Sequence, residues 1–479
     1  MKISESMSGM GIRSKLWAVG VLILCFFLTQ GCTYVKYPLN KPPAQYNPGS
    51  GYIAQNMKKP GNSDKLLVIL SFSGGGTRAA AFSYGVLEEL NATEITYDGQ
   101  KRRLVDEVDL ISGVSGGSFT AAYYGLFGNR IFTDFEPRFL KKNIQSSLTA
   151  RIILNPSNWL RLASPYFDRS DLAAEYYDEN VFEGGTFGDM LKRKGPMVFI
   201  NATDMSLGTR LTFQQTLFNA ICSDLSSYSV ARACAASSAV PGILTPITLK
   251  NYSGICGYKV PPEYEKHPPS YRQKEMRENL TILLDSKEKP YFHLIDGGVA
   301  DNLGLRAVEE AVDAMGNFWT AMKILRSENV RKVVFIVVNA ETKIESKWDK
   351  LEIVPPLMAI VSNYSSIAII RYNRETMALL QESFMRWTND IRTGRCPPGE
   401  VSTVSGTCGD IEFYLMDVKF DQHKDPAERE YLGKLPTSFR LSDEAVDRLK
   451  KAARSILTES TDYQRLIRDL NKPDMNNPN

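Results

Sequence analysis

The chain has 479 residues, 43% of them hydrophobic and 23% charged, an ordinary globular balance with enough apolar side chains for a large core. Its 57 basic and 54 acidic side chains leave a formal net charge of +3 without any basic block, which excludes a nucleic-acid-binding footprint. With three histidines and no Cys-x-x-Cys pair, neither a metal nor a cofactor is expected.

Arg13 and Lys15 precede an apolar run, Leu16 to Leu28, that ends in Thr29-Gln30-Gly31-Cys32. A basic patch, a short apolar core and a small residue read as a secretory signal over residues 1–31, too short to span a bilayer comfortably. The Gly-Cys junction resembles a bacterial lipobox, with Cys32 as the site of lipid attachment. Leu28 stands one place too far from that Cys, so plain signal cleavage or an uncleaved anchor stays open. Thr33 lacks the acidic character that retains a lipoprotein in the inner membrane. The expected place is therefore the outer membrane, facing the periplasm. Five cysteines follow Cys32 and cannot all pair; Cys396 and Cys408 bracket a turn-rich stretch and are the best candidate bridge.

Residues 32–63, rich in Pro, Gly, Asn and Lys, read as a flexible tether. Residues 64–310 read as the first folded domain. It opens on the apolar strand Lys65–Phe72, and a glycine turn leads into the helical pattern Thr77–Leu90. The plan repeats with strand Val108–Ser112, a turn and helix Ser118–Leu126, and further strands follow at Met197–Asn201 and Lys332–Asn339. Continuous apolar strands alternating with helices predict an α/β fold with a mostly parallel sheet. Helical insertions are expected near 129–190, and a Pro- and Tyr-rich loop or lid near 250–290. Residues 311–470 are expected to continue the α/β fold against that first domain. Within them, helices are predicted over 357–392 and 442–459, the second with Ser442 as its N-cap. The tail 471–479 reads as disordered.

Three strand-end motifs carry chemistry. Gly113-Val114-Ser115-Gly116-Gly117 lies between a strand and a helix, where small neighbours allow the sharp turn that projects a serine hydroxyl. Ser73-Gly74-Gly75-Gly76-Thr77-Arg78 exposes consecutive backbone N–H groups and lacks the Lys of a phosphate loop, so Gly75, Gly76 and Gly116 are candidate oxyanion donors. Asp296 ends the apolar strand before Gly297-Gly298; alone it reads as readily as a turn residue. Together, in this order, the three motifs resemble the patatin-like phospholipase family, with further similarity at Asn201-Ala202-Thr203-Asp204 and at Ala236–Pro241. The resemblance covers about residues 65–310 and implies a three-layer patatin-like fold. It also implies Ser115 as nucleophile, Asp296 as its base without a histidine, a Gly74–Gly76 oxyanion loop and Arg78 as its brace. Ser73 and Ala79 depart from the Asp and Gly the family often carries there.

The implied activity is hydrolysis of membrane-lipid or other acyl esters. Two alternatives stay open. One is a Ser115–Asp296–His423 triad of the α/β-hydrolase kind, although His423 lies in a charged stretch. His293 stands three residues from Asp296, on the opposite strand face, and His267 lies in the Pro-rich excursion. The other is a silent lipid-binding or scaffold protein on the same fold.

Overall fold

The structure, a computed structural model, describes residues 35–57, 61–261, 270–343, 347–396 and 411–472. The signal-like run, Cys32, His267, Cys408 and most of the expected disordered tail lie outside them. No helix of the described residues is long and apolar enough to cross a membrane.

One sheet organises the chain. Its strands, in chain order, are β1 (Leu66–Phe72), β2 (Val108–Val114), β3 (Met197–Asp204), β4 (Arg210–Thr212), β5 (Ile247–Lys250), β6 (Tyr291–Asp296), β7 (Lys332–Asn339) and β8 (Glu412–Lys419). The spatial order is β8-β7-β1-β2-β3-β6-β5, with β4 beside β3. From β8 to β3 every pairing is parallel, and β6 then runs antiparallel to β3 and to β5. The buried runs of β1 and β7 suit central strands covered on both faces. The fold is thus a mixed α/β one with a mostly parallel sheet.

Helix α1 (Gly76–Ala92) follows β1, and α2 (Gly116–Phe127) follows β2. Small residues let α1 lie close to α3 (Asp443–Glu459): a Cβ on Gly85 would stand 2.6 Å from the Lys450 carbonyl oxygen. Ser442 caps α3 by accepting the Ala445 N–H. On the other face a 39-residue helix, Leu357–Arg395, packs Leu380, Trp387 and Ile391 against β7 and β8. Its N-terminal turns leave Leu357, Ile360, Tyr364 and Ile367 exposed.

Two expectations need correction. The stretch read as a flexible tether is bound to the domain over 35–57. Asn40 is buried and exchanges hydrogen bonds with the Lys250 backbone (2.9 and 2.8 Å), and the Tyr52 hydroxyl, fully buried, accepts the Val198 N–H at 2.7 Å. Proline and glycine reported an irregular backbone; the few aromatic and amide side chains among them decided its docking. The stretch read as a loop or lid contains a helix, Tyr271–Leu283, opened by a capping box between Ser270 and Gln273.

One bridge adds to the expected Cys396–Cys408 pair, whose second cysteine lies outside the described residues. Cys222 pairs with Cys256 across 34 residues, Cys234 is free and buried, and Cys396 is disulfide-bonded.

Candidate active site

The two glycine-flanked turns meet because β1 and β2 are neighbours. Ser115 sits between β2 and α2 with φ 48° and ψ −122°, a conformation that costs a non-glycine residue about 1–3 kcal/mol. Three contacts hold it there. Its N–H donates to Ser237 Oγ (2.8 Å), and its carbonyl accepts both the Ser118 hydroxyl (2.6 Å) and the Ser118 N–H (3.0 Å). The elbow also needs its glycines: a Cβ on Gly116 would stand 1.9 Å from the Gly76 carbonyl oxygen, and one on Gly117 2.6 Å from those of Phe72 and Ser73. The elbow and the glycine loop are therefore packed backbone to backbone.

The loop itself is anchored at its edges. Gly74 N–H donates to the Asn302 carbonyl (3.1 Å), and Thr77 N–H to the Ser438 carbonyl (2.9 Å). Between them, and at the first residue of α2, no acceptor is paired with the amides of Gly75, Gly76 or Gly116 among the described residues. Gly75 and Gly76 hold φ 139° and 61°, the left-handed region that favours glycine. Gly76 and Gly116 each open a helix, where backbone N–H groups have no intrahelical acceptor and the helix dipole favours negative charge.

Register brings Asp296 to this turn. Val114 pairs with Asn201 and Ala202 with Asp296, so the end of β2 and the carboxyl stand at one level across β3. Asp296 is buried, and desolvation pushes its pKa up from 3.8 to about 6; the Gly298 N–H, 2.7 Å from Oδ1, and the Ser115 hydroxyl favour the ionised form and limit the rise. A buried carboxyl near neutrality beside a serine hydroxyl is suited to accept its proton.

Among the described residues, Arg78 is not hydrogen-bonded to the glycine loop. Its buried guanidinium donates to the carbonyls of Ala340 (2.9 Å) and Leu435 (2.6 Å) and to Thr437 Oγ1 (3.1 Å). It thereby ties the first turn of α1 to β7 and to the segment that meets Gly76. Ser73 accepts the Ala340 N–H (2.9 Å), which gives that departure from the family pattern a structural task. The histidines stand apart. His423 accepts the Asp425 N–H (3.2 Å), exposed His293 bonds Thr248 (3.1 Å), and among the described residues neither bonds Ser115 or Asp296.

Several supporting residues carried no assigned role in the sequence. Ser237, besides holding the Ser115 N–H, donates to the Asn201 carbonyl (2.6 Å). Asn201 donates to Ser112 Oγ (2.9 Å) and to the Gly113 carbonyl (3.2 Å), and Thr203 donates to the Asp296 carbonyl (2.8 Å). All three lie in the two extra stretches of family similarity, Ser237 in Ala236–Pro241 and the others in Asn201–Asp204, which was the available signal. Asn302 and Ser438 had none.

The model of the patatin-like phospholipases matches residues 70–308, which include Ser115, Asp296 and the glycine loop. No curated protein matches the chain. Among solved structures, human GIVD cytosolic phospholipase A2 is similar at 12% identity and a TM-score of 0.41, over 87% of this chain and 64% of that one. The chain thus spans less than two thirds of that relative. VipD from Legionella pneumophila is similar at 12% identity and a TM-score of 0.30, over 93% and 73% of the two chains. With the strand-end motifs on one mostly parallel sheet and inside the matched residues, the chain belongs to the patatin-like phospholipase family.

Proposed function

We propose that the chain is a serine acyl hydrolase of the phospholipase A type, acting on membrane lipid through a Ser115–Asp296 dyad. Ser115 Oγ attacks the ester carbonyl carbon while Asp296 takes its proton. The carbonyl oxygen becomes an oxyanion facing the N–H groups of Gly75, Gly76 and Gly116. Asp296 then returns the proton to the departing alcohol as the C–O bond breaks, leaving an acyl-serine. Water, deprotonated by the same carboxylate, attacks that ester, and the acid leaves as Ser115 regains its proton. The chemistry is complete without a third side chain. The observation that carries the reading is the buried Asp296, its pKa pushed up to about 6, beside the strained Ser115 and unpaired backbone amides.

The test is labelling with a fluorophosphonate ester probe, followed by fatty-acid release from phospholipid. Ser115→Ala and Asp296→Asn should each abolish both, and His423→Ala should leave both within about twofold of the parent. Loss in His423→Ala as complete as in Ser115→Ala would replace the dyad by a triad. No labelling of the folded parent would leave a silent lipid-binding protein.

The same proposal places the enzyme outside the cytoplasm, held by an acylated Cys32 at the periplasmic face of the outer membrane. The lipobox-like junction and the Cys222–Cys256 bridge support export, because disulfides persist in oxidising compartments. Several acyl chains on one residue anchor stably where one does so marginally. Mass spectrometry of the mature N-terminus decides it: a chain that does not begin at a lipid-modified Cys32 ends the lipoprotein reading and leaves the hydrolase reading intact.

A further inference from the structure

The insertion between α2 and β3 leaves an apolar tip in the open. Helix Ile144–Leu154 and helix Pro156–Leu162 meet at Asn155, whose side chain caps the second by accepting the Ser157 N–H (3.1 Å). The Trp159 indole N–H donates back to the Ile152 carbonyl (2.6 Å), and Asn158 to that of Arg151 (2.9 Å), so the hairpin is tight. On it Ile153, Leu154, Trp159 and Leu160 are 58, 77, 56 and 75% exposed. Residues 152–160 contain no ionisable side chain. The flanking arginines are paired behind the tip, Arg151 with Glu179 and Arg161 with Glu175. Clustered exposed apolar side chains of this kind mark a surface that is covered in use.

Two independent observations bear on what covers it. The first is where the N-terminal segment arrives. Ser164 donates to the Val35 carbonyl (2.6 Å), Tyr37 N–H donates to the Tyr166 carbonyl (3.0 Å), and the Lys36 ammonium lies 5.1 Å from the Tyr166 ring centre. The chain that leaves the apolar run and Cys32 therefore meets the domain at the foot of this hairpin. Two residues, Thr33 and Tyr34, separate Cys32 from Val35, a reach of at most about 11 Å. The second is the root of the hairpin. Gln145 N–H donates to the Phe439 carbonyl (3.4 Å) and its side chain accepts the Ser438 hydroxyl (3.1 Å), while the Ser438 carbonyl holds the first turn of α1. An open pocket of about 380 Å³ lies there, lined by Gln145, Ala150, Ile153, Leu154 and Arg440.

We propose that the Ile144–Leu162 hairpin is the membrane-docking face, its tip inserted at the headgroup–acyl boundary of a phospholipid bilayer. The proposal rests on the lipid-hydrolase reading for its purpose, since the root of the same hairpin touches Ser438, which holds the first turn after the glycine loop. Apolar side chains at such a boundary bind in proportion to the area they bury. The N-terminal segment then fixes which side of the domain faces the bilayer.

The full-length protein is mixed with phosphatidylcholine–phosphatidylglycerol vesicles whose acyl chains carry bromine. Trp159 emission, taken as the difference from Trp159→Phe, should be quenched. In Leu154→Asp/Leu160→Asp the quenching should vanish and hydrolysis of vesicle phospholipid should fall about tenfold or more, with fluorophosphonate labelling of Ser115 unchanged. Quenching and hydrolysis like the parent's overturn the proposal. So does an equal loss of labelling, which would make the tip part of the fold or site. Loss of vesicle hydrolysis in Leu357→Asp/Tyr364→Asp but not in the hairpin variant would move the docking face to the long helix. A shift from dimer to monomer without any change at vesicles would make the tip an interface between copies. Quenching without any Ser115 labelling would uphold the docking face while removing the hydrolase reading.

Discussion

Asp296→Asn should inactivate the enzyme and stabilise it in the same step. The carboxyl is buried, and its pKa moves from 3.8 to about 6 on folding. That change corresponds to about 3 kcal/mol. The sign follows from proton uptake: between these two pH values the folded protein holds the proton and the unfolded chain does not. The cost is absent below 3.8, grows as pH rises, and is complete above about 6. Asparagine has nearly the same shape, can still accept the Gly298 N–H, and does not ionise. Urea unfolding of parent and variant, disulfides intact, gives the stability difference at each pH. It should favour the variant by about 2.5 kcal/mol more at pH 8 than near pH 4, in a protein that hydrolyses no ester. In the parent, kcat/KM on a soluble ester should rise with pH through one ionisation near 6 as the base becomes available. A stability difference that does not change with pH would show that the carboxyl is not desolvated, and the basis for Asp296 as a tuned base would go with it.

Gly76→Ala puts a Cβ 2.5 Å from the Ser438 carbonyl oxygen at a φ of 61°, so the loop must shift; turnover should fall about a hundredfold with little change in KM on a soluble ester. Ser237→Ala leaves the buried Ser115 N–H without its acceptor; calorimetry should show a loss of about 1–3 kcal/mol, and turnover should drop as the elbow relaxes. Replacing Cys222 and Cys256 by serine removes a link closing 34 residues and should cost about 3–4 kcal/mol, read as a lower urea midpoint without loss of Ser115 labelling in the folded fraction.

The parts of the site that were legible in the sequence are those specified locally. A buried parallel strand is a continuous apolar run, a sharp strand-to-helix turn needs glycine, and both signals lie within a dozen residues of Ser115 and of Gly75. The parts that were not legible are made by tertiary register. Ser237 reaches Ser115 across 122 positions, Arg78 reaches Thr437 across 359, and nothing in the local composition announces either. The antiparallel turn of β6 belongs to the same class: a short apolar strand does not state its direction. Asn40 and Tyr52 illustrate a different limit, since a segment poor in regular structure can still be fixed by a few side chains buried in someone else's core. The Tyr271–Leu283 helix is the instructive miss. Ser270 and Gln273 are a readable start signal, but the helix buries none of its residues and so carries no apolar period.

The site is also a place where stability is given up. Ser115 holds a backbone conformation that costs about 1–3 kcal/mol, and Asp296 adds about 3 kcal/mol at neutral pH. Set against a net stability of about 5–15 kcal/mol, these are large terms, so the surroundings must leave the site no cheaper arrangement. Much of that constraint comes from residues beyond position 308, where the family match ends. Ala340 and Ser73 pin the end of β1, Ser438 pins Gly76 and Thr77, and Arg78 finds its acceptors, among the described residues, in Ala340, Leu435 and Thr437. A buried guanidinium deprived of those acceptors would cost several kcal/mol by itself. Helix α3, packed along α1, holds the same helix from outside. The matched stretch thus carries Ser115, Asp296 and the glycine loop, and the remainder of the chain supplies the pressure that keeps them in a geometry they would otherwise leave.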